Sequence, residues 1–327
     1  MSSYASSSSG SSTCSEAVSD YADSIFSHMT TSTASTSYET HFPDFRTAGA
    51  TSIHLPTRLP EPPTPFAEVE LASLAVDPEF QGLPIGFVVA KLQKLGPELL
   101  NASTNSRITI PPGSFLPPYL SCPHAPTTST LTSAPYTRPS HILAIRAPDA
   151  PRTLLLPVHG LLWASKSPAL SLLSSAPEFQ KQSSLLPSSL PPSDTSIPVL
   201  ELTLPSTLAV PLLQGWIYLA SPQILLSTIL PAAPRPESSL EPLLNPAPQP
   251  KSPRSLALAL SYLPSRTLLD RVSLVHGLWQ NVVALEISDP ALWSVMSGAW
   301  SVLIGALGLR EQRRLAAERV QRVQVQI

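Results

Sequence analysis

The sequence predicts an α+β fold, a small sheet flanked by helices, extended by a C-terminal helical hairpin and preceded by a disordered N-terminus. Three observations predict it. The centre of the chain holds short aliphatic runs bounded by prolines, the last third repeats apolar residues at helical spacing, and residues 1–40 hold 21 serines and threonines with almost no aliphatic clustering. The 39 prolines among 327 residues are too many for uniformly regular structure, because each removes a backbone donor. The 43% hydrophobic content argues equally against a wholly disordered chain. Apolar folding blocks separated by Pro- and Ser-rich stretches satisfy both constraints.

Taken in order, residues 1–65 read as a disordered Ser/Thr- and Pro-rich tail, since no packed core can repay the ordering entropy of such a composition. Within it, Pro56, Pro60, Pro62, Pro63 and Pro65 mark an extended linker. Residues 66–100 are the first apolar block. Val88, Leu92, Leu95 and Leu99 form one helical stripe, interrupted at Gly96-Pro97, so a short helical segment packing on the core is expected. Residues 101–138 return to proline, serine and threonine and read as loop.

The stretch 139–230 has the richest pattern. His141–Arg146 and Thr153–Pro157 read as two strands joined by the turn Ala147-Pro-Asp-Ala-Pro151, and Val158–Ser165 as a short helix. Ser167 is expected to cap a second helix opened by Pro168. After a polar insertion, Ile197–Leu204 reads as a third strand. Ser206 is then expected to cap a helix bearing Leu208, Leu212, Leu213, Trp216, Ile217 and Leu219, with a small kink at Pro211. A short helix follows over Gln223–Leu230.

Residues 231–253, with eight prolines, read as a second linker. The remainder, 254–327, reads as helical. Ser252-Pro253 opens one helix through Leu263, and Ser265 is expected to cap a second, in which Leu268, Val272, Val275, Trp279 and Val282 recur at helical spacing. Ser288-Asp289-Pro290 starts a long third helix. The apolar blocks suffice for one compact core rather than two independent domains.

Charge and cysteine usage exclude several classes. The net charge of −2 gives no global field for nucleic acid or an acidic membrane surface. Cys14 and Cys122, far apart, provide neither a disulfide framework nor an all-cysteine zinc site, and fit a reducing compartment. Met1–Gly10 has neither the basic region nor the apolar core of a secretory signal. Phosphate-loop, Gly-x-Ser-x-Gly and His-Glu-x-x-His patterns are missing, and the seven histidines show no pair at ligand spacing. The reading is therefore non-enzymatic, with no catalytic, cofactor or metal residue assigned. His159 and His276 are expected to be core histidines. Thr64-Pro65, Ser221-Pro222 and Ser252-Pro253 fit proline-directed phosphorylation, the last equally a helix cap.

Two features of the last helix bear on partners. Pro290–Leu309 is a run of 20 residues without a charge, long enough for a membrane span. Ser294, Ser297, Ser301, Gly305 and Gly308 share one face opposite Trp293, Met296, Trp300, Leu303 and Leu307, the pattern of a closely packed buried helix. A buried soluble helix is the expectation, a membrane anchor the alternative. Beyond it, Arg310, Arg313, Arg314, Arg319 and Arg322 oppose only Glu311 and Glu318. A solvated face is expected there, with an acidic partner, nucleic acid or an import receptor as alternatives.

Two resemblances arise from these segments. The order of two strands, Leu156–Pro168 with its His159, the strand Val199–Leu204 and then Leu212–Tyr218 resembles a BTB/POZ domain over about 139–230. That resemblance implies a non-catalytic interaction module that is commonly dimeric. A wider one covers about 66–309. Gly82–Val89, Leu95–Leu99, Pro157–Leu161, His276–Leu285, Asp289–Trp293 and Ala299-Trp300 resemble the clampless-type proteins of mushroom-forming and related fungi. It implies a nuclear or nucleocytoplasmic regulator of sexual development downstream of mating-type homeodomain factors, with protein partners, no direct nucleic-acid contact and no cofactor. The Trp-Gln-Asn and Leu-Trp segments are expected to be packing anchors between the last two helices.

Overall fold

In the computed structural model, the described residues are 55–60, 68–71, 74, 82–108, 116–122, 138–148, 150–174, 196–232 and 252–325, all within a compact unit spanning 53–327. The tail before residue 53, most of the linker 61–67, Thr64-Pro65 and the linker positions 233–251 lie outside them.

The first apolar block forms two helices, α1 (Ile85–Lys94) and α2 (Gly96–Asn105), separated at Leu95. Pro97 stands in the first turn of α2, where its missing N–H has no intrahelical partner to lose. Of the predicted stripe, Val88, Leu92 and Leu99 are buried and Leu95, between the two helices, is half-buried; Leu100 is buried beside them. The segment expected to be loop from 101 to 138 contains the last turn of α2 and a short strand, β1 (Tyr119–Ser121). Three residues are too few for a periodic signal, so β1 was invisible until its partner was placed.

β2 (His141–Arg146) and β3 (Leu154–Val158) make the predicted antiparallel hairpin, with Leu143 opposite Leu156. β4 (Ser196–Thr203) then lies parallel to β2, and β1 pairs with its other edge in the order β1-β4-β2-β3. Ile142, Leu143, Ala144 and Ile145 of β2 are fully buried, as suits an inner strand covered on both faces. One face carries a small cluster of Leu120, Cys122, Ile142 and Ile197. Cys122 is a buried free thiol whose pKa burial raises.

The crossover from β3 to β4 begins with the short helix α3 (Gly160–Ala164) and a 3-10 turn over Pro168–Ser174. Ser167 does not cap that turn. Its hydroxyl instead donates to the Leu285 carbonyl, 118 residues away, at 2.6 Å. α4 (Val210–Leu219) starts four residues after Ser206, so Ser206 is no cap, and Pro211 sits in its first turn where no kink is required. α4 is buried nearly all round and packs on α2, α3, the helix that follows it and the helix Ser265–Ala284, which makes it the central helix of the fold. α5 (Pro222–Ile229) follows, with the Ser221 hydroxyl accepting from the Ile224 N–H.

Three helices complete the chain: α6 (Pro253–Leu260), α7 (Ser265–Ala284) and α8 (Pro290–Val325). Ser252 and Ser255 form a capping box at α6, which ends three residues earlier than predicted. Pro264, not Ser265, occupies the cap position of α7. Asp289 caps α8 through Oδ1, which accepts from the Ala291 and Leu292 N–H groups at 3.0 and 3.4 Å. Leu268, Val272, Val275, Leu278 and Val282 are the buried stripe of α7, each contributing about 1.5–3 kcal/mol if fully transferred from water. Trp279 is left half-buried, one position off that stripe.

α8 has 36 residues, about 54 Å at 1.5 Å per residue. Leu292, Met296, Ala299, Trp300, Leu303 and Ala306 are buried, and α8 packs on α5, α6 and α7. The small-residue face predicted to pack closely does not. Ser294, Ser297, Gly298, Ser301 and Gly308 are exposed, and only Gly305 approaches a neighbour, Ala257. With an apolar stripe this wide already buried, the small side chains fall on the remaining, solvent-facing side.

Candidate functional site

The residues that carry the sequence's most distinctive motif converge on one seam, between the sheet-bearing half and the C-terminal helices. Gly277 of α7 lies so close to the loop before α4 that an added Cβ would stand 2.6 Å from Ser206 Oγ and 2.8 Å from Ser206 Cβ. One turn on, the fully buried Asn281 answers the Ser206 backbone at both ends. Its Oδ1 accepts from the Ser206 N–H at 3.0 Å, and its Nδ2 donates to the Ser206 carbonyl at 2.7 Å. A side-chain amide is suited to this, because it carries donor and acceptor on one carbon and can meet the N–H and the carbonyl of the same residue. The Leu285 carbonyl then takes the Ser167 hydroxyl, and Asp289 Oδ2 takes the Trp216 indole N–H at 3.2 Å, with Lys166 Nζ at 3.7 Å. The Trp-Gln-Asn and Leu-Trp segments were expected to anchor the last two helices to each other. The Leu-Trp segment does so, with Leu292 buried and the Trp293 indole N–H donating to the Ile287 carbonyl between α7 and α8 at 2.9 Å, whereas Asn281 ties α7 to the Ser206 loop.

A second buried network supports α4 from the opposite side. His159, 5% exposed, ends β3 and precedes α3. Its backbone N–H donates to the Tyr218 hydroxyl at 3.0 Å, and its Nδ1 lies 2.9 Å from the same oxygen. Burial pushes the Tyr218 phenol up to about 12, so it stays protonated at neutral pH. Ser103 of α2 donates to the Pro157 carbonyl and accepts from Gln214 Nε2 at 2.9 Å. Gln93 of α1 donates to the Ile217 and Tyr218 carbonyls, and Gly96 passes so near the Tyr218 carbonyl that a Cβ would meet it at 1.9 Å. His159 is thus a core histidine as expected, though held by a phenol rather than by backbone alone. The Ser103 proton is committed to the Pro157 carbonyl rather than to an imidazole. Nearby, the Ser140 hydroxyl accepts from the Gly160 N–H at 2.8 Å and lies 2.9 Å from His141 Nδ1, while burial lowers the His141 pKa to about 4.

His276 departs from expectation. It is exposed, on the outer side of α7, stacked on Trp279 with ring centroids 5.8 Å apart and planes 18° apart, and 6.5 Å from Trp300. Partial desolvation lowers its pKa. Across these rings runs Leu55-Pro-Thr-Arg-Leu-Pro60. The Trp300 indole N–H donates to the Pro56 carbonyl at 3.0 Å and the Trp279 indole N–H to the Pro60 carbonyl at 3.1 Å. Leu59 between them is 8% exposed. A stretch read as part of a free linker is therefore docked, and the only cue in the sequence was its own Pro-x-x-Leu-Pro spacing.

The arginines also divide. Arg310 donates to the Leu263 carbonyl at 2.7 Å and to Ser265 Oγ at 2.8 Å, while Arg313 bonds Ser261 and lies 4.0 Å from the Tyr262 ring centroid. These two fasten α8 to the α6–α7 turn. Arg314 pairs with Glu311 and Glu318 along the helix. Arg319 and Arg322 are exposed, together with Val320 and Val323. Among the described residues no group of three or more His, Cys, Asp or Glu side chains is placed to hold a metal ion.

The geometry defines a two-part α+β protein in which a sheet-bearing half and a three-helix half are locked around one buried helix. That division has a counterpart in known families. Residues 62–205 match the Clampless protein 1 N-terminal domain, and residues 223–326 match the Clampless protein 1 C-terminal domain. The two cover about three quarters of the chain, which belongs to this family. Membership points to a role in fungal clamp formation. No curated protein and no solved structure gives a match. Ser206 and α4 fall between the matched segments, so the central helix is the joint of the two domains.

Proposed function

We propose that this chain is a non-enzymatic regulator of fungal sexual development, acting in clamp-cell formation and dikaryon proliferation through binding to other proteins. The match to both clampless domains is the observation that carries it. In this reading the partners are proteins of the mating pathway, a mating-type homeodomain factor or another transcription factor, and the chain works in the nucleus or between nucleus and cytoplasm. The order of hairpin, short helix, third strand and Tyr218-bearing helix, which underlies the BTB/POZ resemblance, supports an interaction module. So does the end of α8, where Val320 and Val323 are 58% and 59% exposed beside Arg319 and Arg322. A segment that combines apolar and basic side chains on an exposed helix suits an acidic protein surface. The test is a deletion strain scored under the microscope after mating. Loss of clamp connections is expected, and normal clamps would overturn the developmental role.

The alternative, a membrane-tethered scaffold, draws on α8 being long and apolar enough to cross a bilayer by length and composition. Against it, Leu292, Met296, Trp300 and Leu303 already contribute to the protein's own core, and a span would have to withdraw them from it. The interaction reading requires no such rearrangement.

A further inference from the structure

The groove on the outer side of α7 and α8 has the chemistry of a peptide-binding site. Two indole N–H groups, from Trp279 and Trp300, point at carbonyls four residues apart on one passing segment, and His276 stacks on Trp279. Prolines suit such a groove. Each fixes φ near −65°, so little conformational entropy is lost when the segment docks and offers its carbonyls to the indole N–H groups. The segment bends at Thr57-Arg58, which places Leu59 inward while Thr57 and Arg58 face solvent. Only the two prolyl carbonyls and one leucine are engaged, so the recognised pattern is Pro-x-x-Leu-Pro with both x positions free. The segment also lies outside both matched family domains, whereas both tryptophans lie inside the C-terminal one.

We propose that the Trp279–Trp300 groove is an exchangeable peptide site, filled in cis by Leu55–Pro60 and able to take a Pro-x-x-Leu-Pro segment of a partner protein in its place. The cis segment acts as a competitor. Tethered by a short stretch of chain, it is present at an effective concentration in the millimolar range, so a partner must out-compete it or arrive as the strap is released. The site is independent of the developmental role, because its readouts are taken on purified protein.

The test uses the full chain and a fluorescein-labelled peptide spanning residues 53–62, followed by anisotropy. Leu59→Ser releases the strap by removing its one buried side chain, and that variant is expected to bind the free peptide about ten-fold more tightly than wild type does. Adding Trp279→Phe, which keeps an aromatic ring but deletes the donor, should cost about five-fold of that binding. Equal affinity of wild type and a natively folded Leu59→Ser chain, judged by circular dichroism, overturns the proposal. Should Leu59→Ser not fold, trypsin cleavage at Arg58–Leu59 decides. Cleavage in the intact chain should be slower than in the free peptide, faster in Trp279→Phe, and accelerated in wild type by excess peptide carrying Arg58→Gln. Rates indifferent to all three overturn it.

Discussion

Two faces of α7, one residue apart in sequence, serve opposite ends. Gly277 and Asn281 look inward, with no room for a Cβ at one and bonds to both the N–H and the carbonyl of Ser206 at the other. His276 and Trp279 look outward, stacked on each other and holding a segment that is mostly solvent-exposed. On the inward face Asn281 is fully buried, so a hydrogen bond left unmade there costs the desolvation of its group; on the outward face water can take over. The contrast separates a permanent joint from a contact suited to exchange.

Breaking the joint should have the largest effect. Asn281→Ala leaves the Ser206 N–H and carbonyl without partners and opens a void, and is expected to cost about 3 kcal/mol in urea unfolding monitored by circular dichroism. Gly277→Ala comes next. Ser206 Oγ can rotate away from the new methyl but Ser206 Cβ cannot, so the loop must shift, at about 2 kcal/mol in the same assay. His276→Ala should be smallest, about 0.5 kcal/mol or less, because an exposed stacked ring loses little on truncation. A large loss at His276, or none at Asn281, would erase the distinction between the faces.

Much of the fold was legible locally. The hairpin of His141–Arg146 and Leu154–Val158, the third strand near 196–203, the stripe from Val88 to Leu99 and the starts at Pro253 and Pro290 rest on short-range pattern and proline chemistry, and the structure has them. Serines misled. Ser167, Ser206 and Ser265 each precede a helix, as caps do, yet Ser167 and Ser206 are bonded to α7 and its C-terminal carbonyl, and Ser265 opens its helix without capping it. A hydroxyl next to a helix start has several possible partners, and the sequence shows only the nearest. The same limit hid Asp289. Its capping role was readable from Ser288-Asp289-Pro290, but its second oxygen, on Trp216, was not.

What the sequence determined by itself was the alternation of folding blocks and proline breaks, the strands and helices inside each block, and the motifs that mark the clampless family. Those depend on spacing within a few residues, where backbone geometry sets the period. Only the tertiary structure decided that β4 runs parallel to β2, that the partner of His159 is Tyr218, that His276 turns outward to Trp279, and that Leu55–Pro60 lies on α7 and α8. Each of these is a choice among partners far apart along the chain. It is settled by which surfaces remain apolar and which polar groups remain unpaired once the blocks have packed.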